Sequence, residues 1–89
     1  MLNPVQRNEF KRDVKRVEKR GKNLDRLEFV VLELLNERPL DLKYRDHPLI
    51  GRYKGDRGCH IEPDWVLIYT VAGNDLILVR TGTHSDLYG

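Results

Sequence analysis

The sequence predicts an α+β domain, with two N-terminal helices packed on one face of an antiparallel sheet of three to four strands. Three observations lead there. Residues 8–35 carry apolar side chains at helical spacing, and the C-terminal half carries runs rich in Val, Ile, Leu and aromatics. Between those runs lie turn signals such as AGND, too short for a crossover helix. Eighty-nine residues allow one domain, residues 1–89, with a single modest core.

The first helix is NEFKRDVKRVEKRG. Phe10, Val14 and Val17 line one narrow face; Asn8 fits the start and Gly21 the stop. Its other faces are almost entirely charged. The second helix is LDRLEFVVLELLNER. Leu24, Leu27, Val31, Leu34 and Leu35 form a wide apolar face with Val30 at its edge, Asn23 as N-cap and Pro39 beyond the end. Residues 39–58 hold two Pro, three Gly and many charges, and read as a long loop with a short strand near 49–54. Strands follow near residues 57–61 and 65–71, interrupted by Pro63, and then at DLILVRTG. MLNPVQ is a further candidate edge strand, weakened by Pro4. Trp65, Leu67 and Tyr69 share one sheet face, and the face away from the helices is expected to be open to a ligand.

Composition narrows the function. No apolar run is long enough to cross a bilayer and no signal peptide is visible. The single cysteine, Cys59, has no internal disulfide partner, so a reducing cytoplasm is the expected location. The net charge of +2 hides an asymmetry: residues 1–23 carry eight Lys/Arg against three Asp/Glu, and the remainder eight against eleven. Such a basic end suits a polyanion, although a solvated helix face has the same composition.

All three histidines, His47, His60 and His84, fall at sheet elements or their ends, with Asp64 beside Pro63. A histidine pair supplies a base and an acid at one pH. Cleavage of a phosphodiester by its ribose 2′-OH needs that pair and a cation for the phosphate, for which Lys54, Arg57 and Arg80 are placed in sequence. The chain has no C-x-x-C, no H-E-x-x-H and no close histidine pair, so no metal and no cofactor are expected. Cys59 and His60, as strand neighbours, point to opposite faces and make no thiol dyad. Tyr88, near an exposed end, is a candidate to stack on a base.

The segment DHPLIGRYKGDRGCHIEPDWVLIYTVAGNDLILVRTGTHSDLYG resembles the YafQ branch of the RelE toxin superfamily, through the ordered motifs DHPL, CHIEPDWVLIY and RTGTHSDL. The likeness is close over the C-terminal half and extends to the two helices in pattern. It implies a microbial-ribonuclease-like α+β fold. It also implies a toxin of a type II toxin–antitoxin pair, a metal-independent endoribonuclease that cuts mRNA in the A site of the 70S ribosome. The implied partners are a cognate antitoxin, the ribosome and mRNA, with operator DNA reached only through the antitoxin. By motif, the resemblance assigns catalysis to His47, His60, Asp64 and His84. His84 is then the general acid, His47 or Asp64 the base, and His60 a phosphate-positioning group. Arg80 and Lys54, with Arg57, hold the backbone, and Tyr88 stands where the family usually has Phe. Two departures matter: Asp56 stands where an aromatic is usual and Gly58 where an acid is usual. They motivate the alternative of a catalytically weak or inactive RNA- or ribosome-binding module; a ribosome-independent ribonuclease is the third possibility.

Overall fold

A computed structural model describes every residue from Met1 to Gly89. The elements run β1 (Asn3–Gln6), α1 (Asn8–Lys19), α2 (Leu24–Leu35), β2 (His47–Pro48), β3 (Arg57–Glu62), β4 (Trp65–Ala72), β5 (Asp75–Gly82) and α3 (His84–Tyr88). Short 3₁₀ turns at Leu42–Tyr44 and Gly51–Tyr53 punctuate the long loop.

Helix α1 buries Phe10 and Val17, as its spacing requires, but the same stripe also buries Asp13. Its N-cap is Arg7, which makes no side-chain capping bond, so the expected cap Asn8 lies inside the first turn. Helix α2 starts where expected: the Asn23 carbonyl oxygen accepts the Asp25 N–H at 3.0 Å. Val30, expected at the edge of its apolar face, is fully buried.

The sheet has five strands in the order β1-β5-β4-β3-β2, and it is mixed. Strands β2 to β5 pair antiparallel, whereas β1 runs parallel to β5, with Pro4 opposite Leu76. Pro4 is tolerated because β1 is an edge strand, where a missing N–H costs no ladder bond. The strand expected near 49–54 is instead the two-residue β2 followed by a 3₁₀ turn. Gly73, at φ 60°, supplies the positive φ that the two-residue β4–β5 hairpin needs at its first turn position.

Both sheet faces are packed. Against α1 and α2 lie Cys59, Ile61, Trp65, Leu67, Tyr69, Leu76 and Leu78, which meet Phe10, Val17, Leu27 and Val30. The opposite face, expected to be open, carries a second small core of Tyr53, Val66, Ile68, Val79 and Leu87. Tyr53 comes from the 3₁₀ turn and Leu87 from α3, so these two segments cover that face.

Candidate active site

Sheet register brings the three histidines together. His47 on β2 pairs opposite Gly58 on β3, which makes His60, two residues on, its diagonal neighbour on the same face. His60 pairs with Val66, and Val66 with Gly82, so the chain leaving β5 emerges across the sheet from His60. Two residues later His84 opens α3. The ring centroids of His47 and His60 are 6.3 Å apart, and those of His60 and His84 are 5.7 Å apart.

The position of α3 has its own supports. Thr83 caps it: its hydroxyl accepts the Asp86 N–H while the Asp86 carboxylate accepts the Thr83 N–H, a reciprocal capping box. Asp86 also takes two bonds from the Arg20 guanidinium, at 2.6 and 3.1 Å, which ties α3 to the end of α1. That guanidinium, with the Thr83 contacts, holds the Asp86 carboxyl well below the usual carboxylate range despite partial desolvation. Gly82 makes the turn possible, because a Cβ there would stand 2.8 Å from the Asp86 carboxylate.

Every histidine uses Nδ1 toward an acceptor. His47 Nδ1 lies 2.6 Å from the Arg45 carbonyl oxygen, and His60 Nδ1 lies 3.2 Å from that of Pro63. A carbonyl only accepts, so both rings donate from Nδ1. His84 Nδ1 lies 3.0 Å from Asp64 Oδ1, which also accepts the His84 backbone N–H at 3.1 Å. Those two bonds from His84 hold the exposed Asp64 carboxyl below its ordinary value. With Nδ1 occupied, each ring leaves Nε2 to exchange a proton with a ligand.

An aromatic arc extends the cluster. Tyr88 stacks beside His84 at 6.2 Å and meets Tyr53 edge-on at 5.4 Å. Tyr88 therefore has packing partners and still keeps 44% of its surface exposed. The Tyr53 hydroxyl donates to the Leu87 carbonyl at 3.0 Å and stands 3.5 Å from Arg80 Nη1. Arg80 thus closes the arc. Its Nε and Nη2 are held by the two oxygens of Asp13 at 2.6 and 3.0 Å.

The remaining cations divide. Lys54 is exposed and follows the 3₁₀ turn that carries Tyr53, near the arc in sequence. Arg57 is not brought to the histidines: it pairs in register with Tyr69, a residue of the α-side core, and its Nε donates to Asp46 Oδ1 at 3.3 Å. His60 is one step out of phase with it and faces the other way. Cys59 is buried between them on the α-side, where loss of water pushes its thiol up to about 12. No three His, Cys, Asp or Glu side chains converge on one point as metal ligands do.

Sequence reasoning missed Asp13, Tyr53 and Asp86. Asp13 had a signal: it lies three residues after Phe10 and four before Val17, on the stripe that faces the core.

A family model described as a bacterial toxin of type II toxin–antitoxin systems, YafQ, matches residues 2–89. The mRNA interferase toxin YafQ of Escherichia coli K12 is 44% identical over 82 residues, 91% of this chain and 89% of that protein. The structure of the E. coli DinJ–YafQ complex contains a chain that superposes with a TM-score of 0.92 at 40% identity, over the full length of both. A metal-bound toxin from Helicobacter pylori superposes with a TM-score of 0.91 at 44% identity, over 98% of this chain and 99% of that one. The chain belongs to the YafQ family of bacterial toxins of type II toxin–antitoxin systems.

Proposed function

We propose that the protein is an mRNA interferase, an endoribonuclease that cuts mRNA in the ribosomal A site by acid–base chemistry without a metal and is neutralised by a cognate antitoxin. The observation that carries this reading is the row His47, His60, His84, with neighbouring centroids 6.3 and 5.7 Å apart and every Nδ1 turned to a protein acceptor. A phosphate over the central His60 has one imidazole on each side. His47 takes the 2′-hydroxyl proton as the 2′ oxygen bonds to phosphorus. The bond from phosphorus to the 5′ oxygen breaks, and His84 gives that oxygen its proton. The products are a 2′,3′-cyclic phosphate and a 5′-hydroxyl.

Between the two candidate bases, geometry favours His47. Asp64 Oδ1 is committed to His84 through two bonds, and a carboxylate whose pKa is lowered is a poorer base. Asp64 then orients the acid. Arg80 and Lys54 meet the charge growing on the phosphate, and Tyr88 stacks on a neighbouring base. Lys11, Arg12, Lys15 and Lys19 are exposed on α1 and make no ion pair, which suits a surface of ribosomal RNA phosphate. A cytoplasmic location follows from that substrate, and operator DNA is reached only through the antitoxin.

The test is cleavage mapping in a programmed translation reaction, with and without ribosomes. Cuts inside A-site codons that need both ribosomes and His84 are expected, and His84→Ala is expected to lose roughly 10²–10⁴-fold in rate. Robust cutting of naked RNA overturns the ribosome dependence. No cutting by folded wild type leaves a binding module of the same fold.

A further inference from the structure

We infer that Asp13 is a positioning residue for the RNA-cleaving site, aligning Arg80 so that a single edge of its guanidinium is left for the scissile phosphate. This rests on the reading that Arg80 meets phosphate during cleavage.

The backbone explains why an acid sits here. Strand β1 ends at Gln6, opposite Leu78, and the chain turns into α1, so β5 beyond Leu78 has lost its strand neighbour. Asp13, one and a half turns into α1, comes alongside that bare edge. Its Oδ2 accepts the Thr81 backbone N–H at 3.1 Å, taking the place of the missing strand carbonyl. The same oxygen accepts Arg80 Nε at 2.6 Å, and Oδ1 accepts Nη2 at 3.0 Å. The carboxylate is 1% exposed. A buried charge of that kind persists only when fully partnered, and here every partner lies on two consecutive residues of β5 or one turn along α1, where Arg16 stands 3.5 Å away.

The fork fixes the orientation of Arg80. Two parallel bonds from a planar guanidinium to one carboxylate leave no rotational freedom about its axis. Nη1 is then the end that points toward the Tyr53 hydroxyl, at 3.5 Å, a long contact easily exchanged for a phosphate oxygen. Glu9, the other acid near Nη1, is 3.8 Å away and well exposed, so it does not compete strongly. Arg80 without Asp13 keeps its charge but loses its aim.

The experiment is single-turnover cleavage of mRNA on programmed ribosomes by wild type, Asp13→Asn, Arg80→Ala and the double variant, each with a melting curve. Asp13→Asn is expected to lower the maximal rate at least tenfold while leaving the half-saturating toxin concentration within twofold. It is expected to add nothing once Arg80 is Ala. Rate losses that multiply in the double variant overturn the inference. Arg80→Lys guards against misfolding: it keeps a cation beside Asp13 and gives up only the fork. A rate as low as that of Arg80→Ala supports orientation by the fork, and a rate near wild type overturns it. If folded wild type makes no cuts, the nuclease reading itself falls and the inference with it, an outcome distinct from multiplying losses in an active enzyme.

Discussion

Asp64 and His84 meet twice at one oxygen: Asp64 Oδ1 accepts the His84 backbone N–H at 3.1 Å and its ring Nδ1 at 3.0 Å. The backbone bond fixes where α3 begins and the ring bond fixes which nitrogen faces the ligand. Asp64→Asn keeps an acceptor oxygen but removes the negative charge beside the protonated His84 that the proposed acid role requires. Cleavage is expected to slow by at least about tenfold, measured on programmed ribosomes, with the melting temperature nearly unchanged. Asp64, held below the ordinary carboxylate value of about 3.9, stays ionised from pH 5 to 8. An acid limb of the rate profile within that range therefore does not belong to Asp64, and Asp64→Asn should leave any such limb in place.

Thr81 joins two buried groups. Its hydroxyl accepts Trp65 Nε1–H at 2.9 Å and donates to the Val66 carbonyl at 2.8 Å. Thr81→Val preserves shape and strands both partners, so a loss of about 1–3 kcal/mol in unfolding free energy is expected by urea denaturation.

Arg20 and Asp86 give a pH signature. The Asp86 carboxyl titrates lower in the folded chain than in the unfolded one. Its stabilisation is then complete above the unfolded value of about 3.9 and is lost as the pH falls through the folded value. Arg20→Ala is expected to melt below wild type at pH 5 to 7, with the gap closing as the pH drops beneath about 4.

Gly58 lies opposite His47 in the ladder, and a Cβ there would come within 3.0 Å of Leu49 Cδ2. The acid usual in the family at this position does not fit unless Leu49 moves. Gly58→Asp is expected to destabilise the chain by about 1–3 kcal/mol and to slow cleavage rather than restore a missing group. Cleavage faster than wild type would show that Leu49 yields easily and that the acid was wanted.

Cys59 is fully buried and its thiol is pushed up to about 12. Native protein at pH 8 is expected to resist iodoacetamide over a time in which urea-unfolded protein is fully alkylated, as mass spectrometry reads directly.

Local pattern made much of this architecture legible. DLILVRTG is β5 from end to end, and Asn23 caps α2 as its place before an apolar run requires. The histidine cluster was legible only as motifs, since its assembly depends on the register across β2, β3, β4 and β5, from which the chain passes into α3. MLNPVQ was legible as an edge strand, the setting in which Pro4 is tolerated, but its parallel pairing with the distant β5 was not. The Arg80–Asp13 fork spans most of the chain, and no local pattern links residues so far apart. Arg57 is a different case: strand alternation alone separates it from His60, and sequence proximity to the histidines was the weaker guide.

The parallel seating of β1 on β5, with Asn3 beside Asp75, sets the order in which the domain can assemble. The opening strand has no partner until the closing strand has been synthesised, and α1 packs on that same late element. Such long-range parallel pairing is intrinsically slow to form. A nascent chain halted before β5 carries His47 and His60 but neither His84 nor a place to dock its basic helix, so the histidine row is incomplete until β5 and α3 have been made.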